Sequence, residues 1–199
     1  MTASMSPPRV LVAYATKHGH TRIVAERIGA VLREHRLGVE LRDLGERGAD
    51  PWPPDFSGVI VAASVHAGHH QKCVVNWTHG HATTLGLRPS AFVSVSLTAA
   101  DDTDEARDTT RRLIDELADD TGWTPDASLA VAGALQYREY DLPTRVLMRL
   151  IARQHGGSTD TSRDVVYTDW PALERFAAGF AADVAEQVRD RRAREEATR

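Results

Sequence analysis

Apolar residues fall along the chain in two rhythms. Val10 to Ala15, Val59 to Ala63, Ala91 to Leu97 and Leu129 to Leu135 are near-continuous apolar runs of strand length, the pattern of strands covered on both faces of a parallel sheet. Val39 to Leu41 is a shorter, edge-like run. Between the runs, apolar positions recur at helical spacing over about 21 to 35, 71 to 85 and 106 to 120. A last helix is marked by Leu173, Phe176, Ala177, Phe180, Ala181, Val184 and Val188, which keep a 3.6-residue period. Strands alternating with amphipathic helices predict an α/β doubly wound sheet of five parallel strands with helices on both faces. The proline-rich stretch 50–57, DPWPPDFS, reads as a rigid loop before the third strand. No internal repeat or linker divides the chain, so 9–190 is expected to be a single domain, with flexible termini at 1–8 and 191–199.

Composition narrows the function classes. The chain has 199 residues, 42% of them hydrophobic, and a formal net charge of -4, which argues against a nucleic-acid partner because that partner demands a strongly basic face. Asp101 to Glu105 reads as a solvated loop and Arg189 to Arg194 as a frayed, charged end. The single cysteine, Cys73, excludes an internal disulfide and fits a reducing compartment. Met1 to Pro8 lacks the basic and apolar regions of a secretory signal, so the expectation is a cytoplasmic protein.

The chemistry is expected where the first strand gives way to the first helix, at YATKHGHTRI, residues 14–23. In doubly wound sheets the ligand lies beyond the carboxyl ends of the strands, where the strand order reverses. There Thr16, Lys17, His18, Gly19, His20 and Thr21 can wrap backbone N–H groups around an anion. The two threonine hydroxyls add donors, and the next helix presents its positive end. Gly19 permits the positive φ and close approach that such a cradle needs. The spacing matches neither the dinucleotide fingerprint nor the nucleoside triphosphate loop. On the hexapeptide alone a blander alternative stays open, in which Thr21 merely caps the helix and Gly19 merely serves the turn.

Thr-x-x-Gly-x-Thr after an apolar strand resembles the flavodoxin phosphate loop, with His18 where flavodoxins usually carry a hydroxyl residue. ASVHAGHH (63–70), PSAFVSVSLTA (89–99), AGALQYREY (132–140) and above all GGSTDTSRDVVYTDW (156–170) are similar to the menaquinone-dependent protoporphyrinogen oxidases of haem biosynthesis, over residues 9–180. The resemblance implies a flavodoxin-like three-layer αβα sandwich of strand order 2-1-3-4-5 and a bound FMN. It gives the phosphate to Thr16 through Thr21. It gives the isoalloxazine ring to Ser64, Val65, His66, Ala67 and Gly68, within a loop running to His70, and to Ser96, Leu97, Thr98 and Ala99, within a loop running to Ala100.

The activity it implies is an FMN-dependent dehydrogenase or oxidase that takes a hydride from a porphyrinogen-like ring and is reoxidised by a quinone acceptor. The flavin carries the chemistry, so no catalytic side chain is named. Peripheral contact with the inner face of the membrane and a homo-oligomer are compatible with it. AADDTDEARD after Leu97 departs from the basic, proline-bearing loop of that family, with charge of a sign that repels carboxylated porphyrinogens and lipid head groups.

Neither ring loop contains Trp, Tyr or Phe, whereas electron-carrying flavodoxins typically sandwich the flavin between aromatics. Only His66, His69 and His70 are placed to stack, unless Tyr137 folds over the ring. An unsandwiched ring leaves room for a second molecule, as hydride transfer requires. The competing readings are an NAD(P)H:quinone reductase, an electron carrier and a flavin-free interaction module. His66, His69, His70 and Cys73 match no structural zinc spacing, so no metal is expected. His79 and His81 are expected on a solvent-facing helix, and Cys73 as a buried thiol. Leu142 to Arg153, apolar with interspersed arginines, reads either as core or as a basic amphipathic docking element.

Overall fold

The structure, a computed structural model, describes residues 7–46, 56–135 and 165–198. The apolar runs become strands β1 (Arg9–Ala15), β2 (Gly38–Asp43), β3 (Phe56–His66), β5 (Ser90–Ser96) and β6 (Ala127–Ala132), with a two-residue strand β4 (His69–His70) folded back on β3. The main order is β2-β1-β3-β5-β6, every neighbouring pair parallel. Setting the short β4 aside, this is the expected order 2-1-3-4-5. The helices are α1 (His20–Glu34), α2 (Lys72–Leu85), α3 (Asp104–Thr121) and α4 (Trp170–Ala197), and the pair β7 (Ala134–Leu135) and β8 (Val165–Val166) forms a separate antiparallel ribbon.

Alternation along β1 explains why its run is unbroken. Val10, Val12 and Tyr14 join Val24, Ile28 and Leu32 of α1 and Leu173, Phe180 and Val184 of α4 in a core on one side of the sheet. Leu11, Ala13 and Ala15 point the other way, into a core shared with Val74 and Trp77 of α2, Leu117 of α3 and Trp123. Successive strand residues face opposite sides, and here both sides are covered. Each fully buried Leu, Ile or Phe contributes roughly 1.5 to 3 kcal/mol. Gly58 lets α4 lie close to β3, since a Cβ there would come within 2.6 Å of Val184 Cγ2 and 3.1 Å of Phe180 Cζ.

Some boundaries differ from the sequence expectation. Phe56 and Ser57, read as the end of a loop, already belong to β3, where Phe56 pairs with Arg9 of β1 and the register slips past Ser57. The run Leu129 to Leu135 is not one strand. It breaks at Gly133, whose N–H reaches back to the Ser96 carbonyl at 2.9 Å, and Ala134 and Leu135 pair with β8 instead. Helix α3 starts at Asp104, inside the acidic stretch, because Thr103 caps it by accepting from the Ala106 N–H at 3.2 Å. Helix α4 begins on Asp169, which caps Ala172, and runs on through the charged stretch to Ala197. Residues 142–153 and Tyr137 lie outside the described residues.

Candidate functional site

β1 delivers the chain to the cradle and α1 takes it away. Gly19 sits at the N-cap of α1 with φ 85°, in the left-handed region, and no side chain caps the helix. Thr21 is therefore not the cap that the blander alternative made it. Its side chain lies inside the first turn, 1% exposed, and its Oγ1 is buried without a hydrogen-bond partner. No acidic residue occupies that turn. An uncapped helix start with a buried, unused hydroxyl is a site for an anion, because the unpaired N–H groups and the helix dipole both favour negative charge.

The expected loop after the third strand is a tight hairpin. Val65 and His66 pair with His70 and His69, and the two residues at the tip, Ala67 and Gly68, have φ 50° and 81°, the positive values that a two-residue hairpin turn requires. This stiffens the segment and carries His66 toward the cradle. Lys17 Nζ donates to His66 Nε2 at 2.6 Å, and the His18 ring meets the His66 ring edge-on at 6.2 Å. Behind the hairpin, Gln71 donates to Ser64 Oγ at 3.1 Å and fixes that hydroxyl.

At the end of β5, Ser96 turns inward and its Oγ accepts from the Ala99 N–H at 3.2 Å, holding the single 3-10 turn Thr98–Ala100. The three loops enclose a cleft of about 420 Å³ beyond the carboxyl ends of the strands, within the usual size of a cofactor site. Thr16, Lys17, His18, His20, Thr21, Ser64, Val65, His66, Ala67, Gly68, Ser96, Leu97 and Thr98 line it, joined by Val95, Gly133 and Ala134. Gly19 shapes the turn from beneath. Ala99 lies instead on a neighbouring cleft of about 350 Å³, with Asp101, Asp102 and Arg107. Among the described residues no Trp, Tyr or Phe lines it.

A flavodoxin domain matches residues 11–162. Protoporphyrinogen IX dehydrogenase (quinone) of Leishmania major is 35% identical over 181 residues, covering 90% of this chain and 77% of that protein. The Escherichia coli K12 protein of the same name is 31% identical over 173 residues, 87% of this chain and 94% of its own. The chain belongs to this family of flavodoxin-domain dehydrogenases. Solved structures agree on the fold: oxidised flavodoxin 1 from Bacillus cereus superposes with a TM-score of 0.51 at 14% identity, over 87% of this chain and 97% of that one. Rubredoxin oxygen:oxidoreductase from Desulfovibrio gigas gives 0.54 at 13%, over 92% of this chain and 38% of its own.

FMN is the cofactor of such a domain, and the residues present fit it. The uncapped start of α1 and the orphaned Thr21 hydroxyl suit its phosphate. A Cβ built on Gly19 would meet no atom within 4 Å, so the space in front of the turn is open to a ligand. The hairpin and the β5 loop offer backbone and small side chains to a flat ring.

The histidines take different parts from those their spacing suggested. His20 is 6% exposed, and its Nε2 lies 2.8 Å from Thr168 Oγ1. Burial lowers its pKa, which favours the neutral ring. His70, one of three stacking candidates, is not available to a flavin: it packs edge-on against Phe92 at 5.0 Å with Nε2 3.0 Å from Ser94 Oγ, and burial pushes its pKa down to about 4. His66 and His69 stay exposed at the hairpin. His81 was expected in solvent with His79. Only His79 is exposed, for His81 stacks on Trp77 at 4.7 Å and donates from Nδ1 to the Trp77 carbonyl at 2.9 Å. Cys73, expected as a buried thiol, is only partly buried, and that burial raises its pKa and so favours the protonated thiol. Among the described residues, no group of three metal-ligating side chains comes together.

Sequence reasoning missed Val95, Gly133, Ala134 and Thr168. The glycine that interrupts an otherwise apolar run was the signal for the second and third of these. Nothing local marks Thr168, because its partner is 148 residues away.

Proposed function

We propose that this chain oxidises protoporphyrinogen IX, or a similarly reduced ring, and delivers the electrons to a quinone in haem biosynthesis. The carrying observation is identity of 31% to 35% with protoporphyrinogen IX dehydrogenases across nearly nine-tenths of the chain. FMN, when bound, supplies the hydride acceptor. The protein's own part is to hold it by the phosphate at α1, to keep the ring against the stiff hairpin, and to leave one face open, since no Trp, Tyr or Phe is among the described lining residues. That openness favours a dehydrogenase over a sandwiched electron carrier.

The acidic stretch that seemed to forbid an anionic substrate is partly offset within itself. Arg107 donates to Asp102 and, at 2.8 Å, to Asp104. These charges border the neighbouring cleft, while the rim of the flavin cleft carries exposed Lys17. Among the described residues that line the cleft, Lys17 is the Lys or Arg that a porphyrinogen carboxylate could meet. Among the described residues no helix is long and apolar enough to cross a membrane. A cytoplasmic protein that visits the inner face to meet a lipophilic quinone fits this reading, as does self-association.

The test is anaerobic turnover of the FMN-loaded protein with protoporphyrinogen as donor and menaquinone in vesicles as acceptor, followed by the growth of porphyrin fluorescence. Porphyrin should form only when quinone is present. Turnover with NAD(P)H and none with porphyrinogen would replace this function by NAD(P)H:quinone reduction.

A further inference from the structure

A buried hydrogen-bond chain joins the cradle to the end of β6. Thr168 Oγ1 donates its proton to the Ala132 carbonyl at 2.7 Å. Its hydroxyl therefore receives the bond from His20, which places a hydrogen on the imidazole Nε2. Burial favours the neutral form of the ring. The Trp170 ring lies 6.1 Å from the imidazole, tilted at 56°.

The ends of this chain are functional places. His20 is the first residue of α1, between Gly19 and the orphaned Thr21 hydroxyl. Ala132 closes β6, directly before Gly133 and Ala134 on the cleft wall. Thr168 does not line the cleft. It stands one residue before the Asp169 cap of α4, so it is held by the sheet on one side and by a helix start on the other. A hydroxyl bridging two elements in a buried, low-dielectric place has a stiff geometry.

We infer that Thr168 is a positioning residue, acting through His20 to hold the first turn of α1 in the orientation that grips the FMN phosphate. This rests on FMN being the ligand of the cleft. It is independent of which donor or acceptor the enzyme uses. The bond grips the phosphate end alone, so its loss should harm FMN, which has a phosphate, and spare riboflavin, which has none.

The experiment is fluorescence titration of the flavin-free full chain with FMN and with riboflavin. Thr168→Val keeps the shape and removes the hydroxyl. It should weaken FMN tenfold or more while riboflavin changes less than twofold. Thr168→Ser, which restores the hydroxyl, should recover most of the loss, and His20→Gln, which keeps a donor at the Nε2 position, should bind FMN nearly as tightly as the parent. FMN binding by Thr168→Val as tight as in the parent protein would overturn the inference, and so would an equal loss for both ligands, the mark of a merely structural role. Should Thr168→Val not fold, nitrogen-15 NMR of the unaltered FMN complex decides: the neutral Nε2–H tautomer of His20 is expected, and the Nδ1–H tautomer or the imidazolium would refute the proposal. Failure of the parent protein to prefer FMN over riboflavin would strike at the cofactor reading itself.

Discussion

Two helices, α1 at the flavin cleft and α3 at the neighbouring one, begin in opposite ways. Helix α3 satisfies itself: Thr103 caps it, Asp104 and Glu105 sit in its first turn, and Arg107 folds back on Asp102 and Asp104, all in solvent. Helix α1 starts on a left-handed glycine with no side-chain cap and no acid, and two of its first buried polar atoms, His20 Nδ1 and Thr21 Oγ1, have no partner. A native structure tolerates an unsatisfied buried group where something else completes it, since each costs about 1 to 3 kcal/mol. The contrast separates a helix start made for stability from one kept open for a ligand.

Breaking α1 should have the largest effect. Gly19→Val sets a β-branched residue at φ 85° and fills the open space before the turn, so the variant should emerge from gel filtration without FMN while its fold survives. Retention of a full complement of flavin would mean that the cradle lies elsewhere.

Acid should act next, and on the buried imidazoles rather than on α3. With its folded-state pKa at about 4 against an ordinary 6.5, His70 binds fewer protons in the native protein than in the unfolded chain. Its contribution is whole above pH 6.5 and declines as pH falls through that window, by about 3 kcal/mol at its foot. The urea midpoint measured from pH 7.5 down to 4.5 should follow this course, and His70→Gln should flatten it. The slope left over belongs in part to His20, whose pKa is lowered by the same desolvation.

The two smaller effects form a pair. Thr21→Ala should weaken FMN by about 1 to 2 kcal/mol, one hydrogen bond to a charged group, with little change in the melting temperature of the flavin-free chain. Thr103→Ala should do the reverse, lowering stability by about 1 kcal/mol and leaving the FMN titration unchanged. If both substitutions move both readouts alike, the distinction between the two helix starts is lost.

The five parallel strands and the four described helices were legible in the sequence because each announces itself locally: β1 by a run apolar on both faces, α4 by its 3.6-residue period. The hexapeptide from Thr16 to Thr21 was legible as an anion cradle for the same reason, since its glycine, hydroxyls and helix start are neighbours in the chain. Tertiary structure alone decided what the histidines do. His66 and His70 are four residues apart, yet the hairpin turn at Ala67 and Gly68 sends one to the rim of the cleft and folds the other under Phe92. His20 faces Thr168 because the last helix packs with α1 on one face of the sheet and the residue before its cap is tied to the end of β6. Periodicity records which side of an element is buried. It does not record which distant group will be waiting there, and the charge state and hydrogen-bond partner of a buried imidazole depend on that group.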